Sequence, residues 1–85
     1  MRVVVVTKDN TDYARTVTDY LRDFKRQTGH DLEIIDPESP DGASFSRTYD
    51  IVEYPTMMAI ADDGVMHNMW RGLPLPTLSE VSFYV

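Results

Sequence analysis

The amino-acid sequence predicts an α/β fold: one four-stranded mixed sheet with helices on both faces, in the order β-α-β-α-β-β-α. Three observations carry this. Val3 to Val6 form an uninterrupted β-branched run close to the start. Tyr13, Val17, Tyr20, Leu21 and Phe24 recur at spacings of three and four, the period of a helix with one apolar face. Asp62-Asp63-Gly64 separates two strand-like runs, and Asp-Gly supplies the positive φ that a tight hairpin turn needs.

Arg2 to Thr7 reads as the first strand. It is apolar at successive positions rather than alternate ones, so both of its faces are covered, as in a sheet with parallel neighbours. Lys8-Asp9-Asn10 is a polar loop. A helix is expected from Thr11 to about Thr28, with Asn10 or Thr11 as its cap and Asp12 in a first turn whose dipole favours negative charge. Arg15, Asp19, Arg22, Asp23, Lys25 and Arg26 cover its outer face, and Gly29 ends it in a left-handed conformation. Leu32 to Asp36 is a second strand. Pro37 to Gly42 is a proline-punctuated loop, and Ala43 to Tyr49 a short helix. Thr56 to Ala61 and Val65 to Trp70 are the hairpin strands. Gly72-Leu73-Pro74 breaks the second, and a last short helix runs from Pro76 to Tyr84.

With 85 residues, the chain is expected to form a single domain spanning 1–85. It has no cysteine to staple it, so stability rests on an apolar core. The expected core is Val3 to Val6, Leu21, Phe24, Ile34, Ile35, Ile51, Val52, Met57 to Ile60 and Trp70. A formal charge of -6 repels phosphate backbones, which excludes general nucleic-acid binding and fits plain solubility. No apolar run reaches the length of about 18 residues that spans a bilayer, so no membrane partner is expected. The N-terminal apolar stretch is too short for a secretion signal, and a cytoplasmic location is expected.

The residues after the first strand hold the main functional clue. A strand feeding a helix presents the first helical turn to solvent, where a thiol pKa is lowered and reactive cysteines are often found. Here that place reads Thr11-Asp12-Tyr13-Ala14. In Val6-Thr7-Lys8-Asp9-Asn10-Thr11-Asp12-Tyr13-Ala14 the chain resembles the glutaredoxins, which carry a lysine three residues before a Cys-Pro-Tyr-Cys motif. Lys8 and Tyr13 stand at the lysine and tyrosine positions; Thr11 and Ala14 replace the cysteines and Asp12 the proline. Tyr49-Asp50-Ile51-Val52-Glu53-Tyr54-Pro55-Thr56 is similar to the thioredoxin segment ending in Ile-Pro-Thr. There the family's proline is cis, so the resemblance implies a cis Tyr54–Pro55 bond. Asp63-Gly64 and Gly72 match the family's turn and late glycine. The likeness covers nearly the whole chain and implies a thioredoxin-like fold.

The departures bear on function. Without cysteine, neither dithiol exchange nor the monothiol reaction through a mixed disulfide is available. Leu73-Pro74 follows Gly72 where glutaredoxins place polar residues that hold glutathione, and Val5 occupies the position of the thioredoxins' buried acid. Were the natural gene to carry cysteines at 11 and 14, the reading would become a thiol-disulfide oxidoreductase.

The candidate binding residues are Lys8, Thr11, Asp12, Tyr13, Tyr54, Pro55 and Thr56. Lys8 attracts an anion near a helix start, or is an ordinary solvated lysine. Thr11 has no neighbouring base to activate its hydroxyl, so capping suits it better than nucleophilic catalysis. Tyr13 would be half-buried with an exposed tip. The backbone beside Pro55 offers an N–H and a C=O to an extended peptide or to glutathione, as a strand edge does. The methionines of the hairpin strands read as core filling. His30 and His67 lack ligand-spaced neighbours, so no metal is expected. No catalytic residue and no cofactor are assigned. The expected function is a redox-inactive module that holds a protein or peptide partner between Thr11-Asp12-Tyr13 and Tyr54-Pro55, with glutathione binding as the alternative.

Overall fold

The computed structural model describes residues 1–85. In chain order the elements are β1 (Arg2–Val6), α1 (Ala14–Thr28), β2 (Glu33–Ile35), α2 (Pro40–Thr48), β3 (Thr56–Ile60), β4 (Met66–Arg71) and α3 (Leu78–Ser82). The sheet has the order β2-β1-β3-β4. β1 runs parallel to β2 and antiparallel to β3, and β3 and β4 form the antiparallel hairpin.

The valine run becomes the strand at the centre of two cores. Side chains alternate across a strand. Val3 and Val5 therefore join Val17, Phe24, Leu32, Met57, Ala59 and Val81 on the face covered by α1 and α3. Val4 and Val6 join Ile51, Met58 and Ile60 on the other face, with Phe45 and Tyr49 of the α2 region against them. All of Val3 to Val6 are buried, and burial of one such side chain is worth about 1.5–3 kcal/mol. The same alternation divides Met57 from Met58. Both are fully buried, so they fill the core rather than line a surface.

Each helix end has a local cause. Gly29, at φ 77°, lets its N–H reach the Lys25 carbonyl at 2.8 Å and ends α1. α2 starts earlier than the Ala43 boundary read from sequence. Ser39 caps it by accepting from Gly42 N–H at 3.0 Å, and Pro40 takes the first position, where its missing N–H costs nothing. Gly42 thus lies in a helix, not in a loop. α3 carries a capping box: Glu80 N–H donates to Thr77 Oγ1 and Thr77 N–H to Glu80 Oε1, both at 3.1 Å. α3 covers Leu78–Ser82, a shorter span than Pro76 to Tyr84. The hairpin turn at Asp62-Asp63-Gly64 has Gly64 at φ 89°.

Two expected core residues, Ile34 and Val52, lie outside it, and Leu21, Ile35 and Trp70 pack half-buried against it. Ile34, on the edge strand β2, is 59% exposed, whereas its neighbour Ile35 on the other face packs against the α2-side core. Val52 is 76% exposed in the segment between α2 and β3. Trp70 is half-buried, edge-on to Tyr84 with ring centroids 5.7 Å apart. No helix is long and apolar enough to cross a membrane.

Candidate functional site

α1 begins at Ala14, three residues after the start read from sequence. Asn10 adopts φ 56°, and Ala14 N–H then bonds the Thr11 carbonyl at 3.2 Å, so 11–14 form a turn ahead of the helix. Thr11 does not cap α1. Its hydroxyl donates back to the Lys8 carbonyl at 3.3 Å. Tyr13 holds the cap position without a side-chain hydrogen bond, and no acidic residue lies in the first turn, so Asp12 stands outside it.

The second half of the site follows from the pairing of Val6 with Thr56 and of Thr56 with Arg71. These pairs bring the ends of β1, β3 and β4 together beside the Tyr54-Pro55 segment. The Tyr54–Pro55 bond is cis, and so is Leu73–Pro74, which the sequence reading does not include. Pro55 and Thr56 are fully buried. Thr56 Oγ1 donates to the Glu53 carbonyl at 2.7 Å, and the Pro55 carbonyl accepts from Gly72 N–H at 2.8 Å. Tyr54 differs from both: its backbone N–H and C=O make no hydrogen bond within the chain. Unpaired main-chain groups of this kind accept an added strand.

Lys8 and Tyr54 meet directly. The Lys8 ammonium lies 4.8 Å from the centre of the Tyr54 ring, a cation–π contact. Tyr13 does not join them. It packs with the α1–α3 core and Tyr54 with the α2 core, on opposite faces of the sheet. The two halves are therefore joined through Lys8 and not through the tyrosines. Thr11, Asp12, Tyr13, Pro55 and Thr56 line none of the four cavities, so the surface between the halves is shallow.

Other residues at this end escaped the sequence reading. Val52 and Leu73, 76% and 54% exposed, are apolar side chains in the segments that adjoin Tyr54-Pro55 and follow Gly72. Arg47, Asp50 and Val52 share a 260 Å³ cavity with Tyr54. Arg2, Arg22, Lys25 and Arg26 are held by carboxylates, whereas Lys8, Arg47 and Arg71 have no such partner. The signal that could have located Val52 was its place just before Glu53-Tyr54-Pro55; its apolarity pointed instead to the core.

This arrangement can bind but has no evident reactive group. The chain has no thiol. Thr11 is engaged with the backbone, and the histidines are elsewhere, His67 on β4 and His30 beside Met1 and Val85. One buried hydroxyl nearby lacks a partner. Thr7 Oγ1 is buried, and the residue lines an 80 Å³ cavity together with Ala14 and Thr18.

No protein-family model and no curated protein matches the chain. Among solved structures, thioredoxin 1 from the thermophilic eubacterium Thermosipho africanus TCF52B is similar, with a TM-score of 0.64 and 17% identity. The match covers 95% of this chain and 85% of that one. The chain has a thioredoxin-like fold.

Proposed function

We propose that this protein is a thiol-free, redox-inactive thioredoxin-like module that binds an extended protein or peptide segment at the Tyr54-Pro55 loop. The observation that carries the reading is the unpaired backbone N–H and C=O of Tyr54. An extended segment can satisfy both with two main-chain hydrogen bonds, and side-chain contacts then supply selectivity. Support comes from exposed Val52 and Leu73, which offer apolar contact near the loop, and from Lys8, which braces the Tyr54 ring. Pro55 and Thr56, both fully buried, position the edge from beneath.

An NMR titration with an uncharged, extended peptide tests this. The Tyr54 amide should shift most, and Val52→Asp with Leu73→Asp should weaken binding, since both side chains are exposed and their loss spares the core. No movement of the Tyr54 amide at millimolar peptide would refute the proposal. Glutathione is the second reading, and Lys8 favours it as a cation without a carboxylate partner. Millimolar glutathione that leaves the Lys8, Thr11 and Thr56 amides unmoved would end it.

A further inference from the structure

β2 leaves one side of its backbone open. The pairs Val4 with Glu33, Val5 with Ile34 and Val6 with Ile35 set the register, and Thr7 N–H donates to the Ile35 carbonyl at 3.1 Å. In a parallel ladder alternate residues bond to one neighbour. Glu33 and Ile35 therefore face β1, and the N–H and C=O of Ile34 face outward, with no strand beyond them. The Ile34 side chain is 59% exposed. This edge is neither covered by another element nor closed by a proline.

A 290 Å³ cavity adjoins that edge. Ile35 and Phe45 give it apolar walls, and Asp36 and Asp41 bring carboxylates with no cation against either. Asp36 Oδ1 accepts only from Glu38 N–H at 2.9 Å. The remaining charged lining groups, Arg2 and Glu33, pair with each other, Arg2 Nε to Glu33 Oε1 at 3.1 Å. The start of α2 adds about half a positive charge here, which the two free carboxylates outweigh. An apolar sleeve ending in carboxylates suits a lysine or arginine side chain, whose stem packs while its head is paired.

We infer that the outer edge of β2 is a second docking site, which adds a basic extended segment of a partner protein as a strand and seats one of its lysine or arginine side chains between Asp36 and Asp41. A second copy of this chain is the disfavoured occupant, because it carries the same net charge of -6 and its own β2 edge brings no unpaired cation for these carboxylates. The inference shares no residue with the Tyr54 site and does not rest on it.

The probe is a fluorescein-labelled peptide of alternating lysine and valine, with a glutamate-valine peptide as control, read by fluorescence anisotropy. The lysine peptide should bind saturably and the glutamate peptide should not. Asp36→Asn together with Asp41→Asn should weaken binding by about tenfold or more, since each removes one side of a charge pair. Asn at 36 keeps the acceptor for Glu38 N–H, so the loop is preserved. Ile34→Pro removes the outward N–H and should abolish binding; if circular dichroism shows that it unfolds, the asparagine pair decides. Asp62→Asn with Asp63→Asn, which remove the same charge from the hairpin turn, should change nothing. Equal binding of both peptides, no saturable binding, or equal losses from the two asparagine pairs would overturn the inference. Val52→Asp and Leu73→Asp should leave it intact, which separates its failure from that of the Tyr54 proposal.

Discussion

Gly42→Ala is a substitution whose sign depends on the tertiary structure. Gly42 is in the first turn of α2, and alanine is favoured over glycine inside a helix by about 0.8–1.0 kcal/mol. Propensity alone therefore predicts stabilisation. A Cβ at 42, however, would lie 1.7 Å from the Asp36 carbonyl oxygen and 2.6 Å from its carbon. The obstacle is backbone, so no side-chain rotation removes it. The start of α2 must lift from the β2–α2 loop, and overpacking of this kind costs about 1–3 kcal/mol. The same movement strains the Gly42-to-Ser39 cap at 3.0 Å and the Ser39 N–H and hydroxyl bonds to Asp36, at 3.1 and 2.7 Å. Loss of a cap costs about 1 kcal/mol and a further hydrogen bond about 1 kcal/mol. The net expectation is a destabilisation of about 2–4 kcal/mol. For a domain of this size that lowers Tm by roughly 10–30 °C. Thermal unfolding followed by circular dichroism measures it. An unchanged or higher Tm would show that α2 does not pack on Asp36 as described.

Other substitutions read other parts of the fold. Phe24→Ala empties a fully buried site in the α1–α3 core and should cost about 3–5 kcal/mol by denaturant unfolding, a large share of a small domain's stability. Thr77→Ala removes the α3 capping box and should cost about 1 kcal/mol at neutral pH. Hydrogen bonds from the Thr77 backbone and hydroxyl hold the Glu80 carboxyl below its usual range. Its contribution is present above the ordinary glutamate pKa and is lost as pH falls through the lowered value, and Thr77→Ala, which removes the hydroxyl's share but keeps the backbone N–H, should make that acid limb shallower. Burial, followed by the nearby Glu80 charge, pushes the Tyr20 phenol up to about 12. Its stabilising effect is complete below about pH 10, the ordinary tyrosine value, and is lost as pH rises through the folded value. Tyr20→Phe should remove the last step of the alkaline absorbance titration and extend the stability plateau.

Much of the fold is legible in the sequence because it is written in local periodicities. Four valines in succession require cover on both faces; the three-four spacing from Tyr13 to Phe24 requires a helix with one buried side; Asp-Gly requires a turn. The absence of cysteine excludes thiol chemistry without any coordinates. What the sequence left open depends on neighbours distant along the chain. The start of α1 shifted to Ala14 because Asn10 turns the backbone before the helix can begin. Ile34 is as apolar as Ile35, yet on the edge strand they take opposite faces, and only Ile35 finds a core to pack against. Tyr13 and Tyr54 looked like two walls of one groove, and the alternation of the central strand sends them to opposite faces, leaving Lys8 as the contact across it. Hydrophobic pattern specifies which residues must leave water. Which main-chain groups stay unpaired, at Tyr54 and at Ile34, is decided only when the strands choose their partners, since pairing is a relation between segments and not a property of either one.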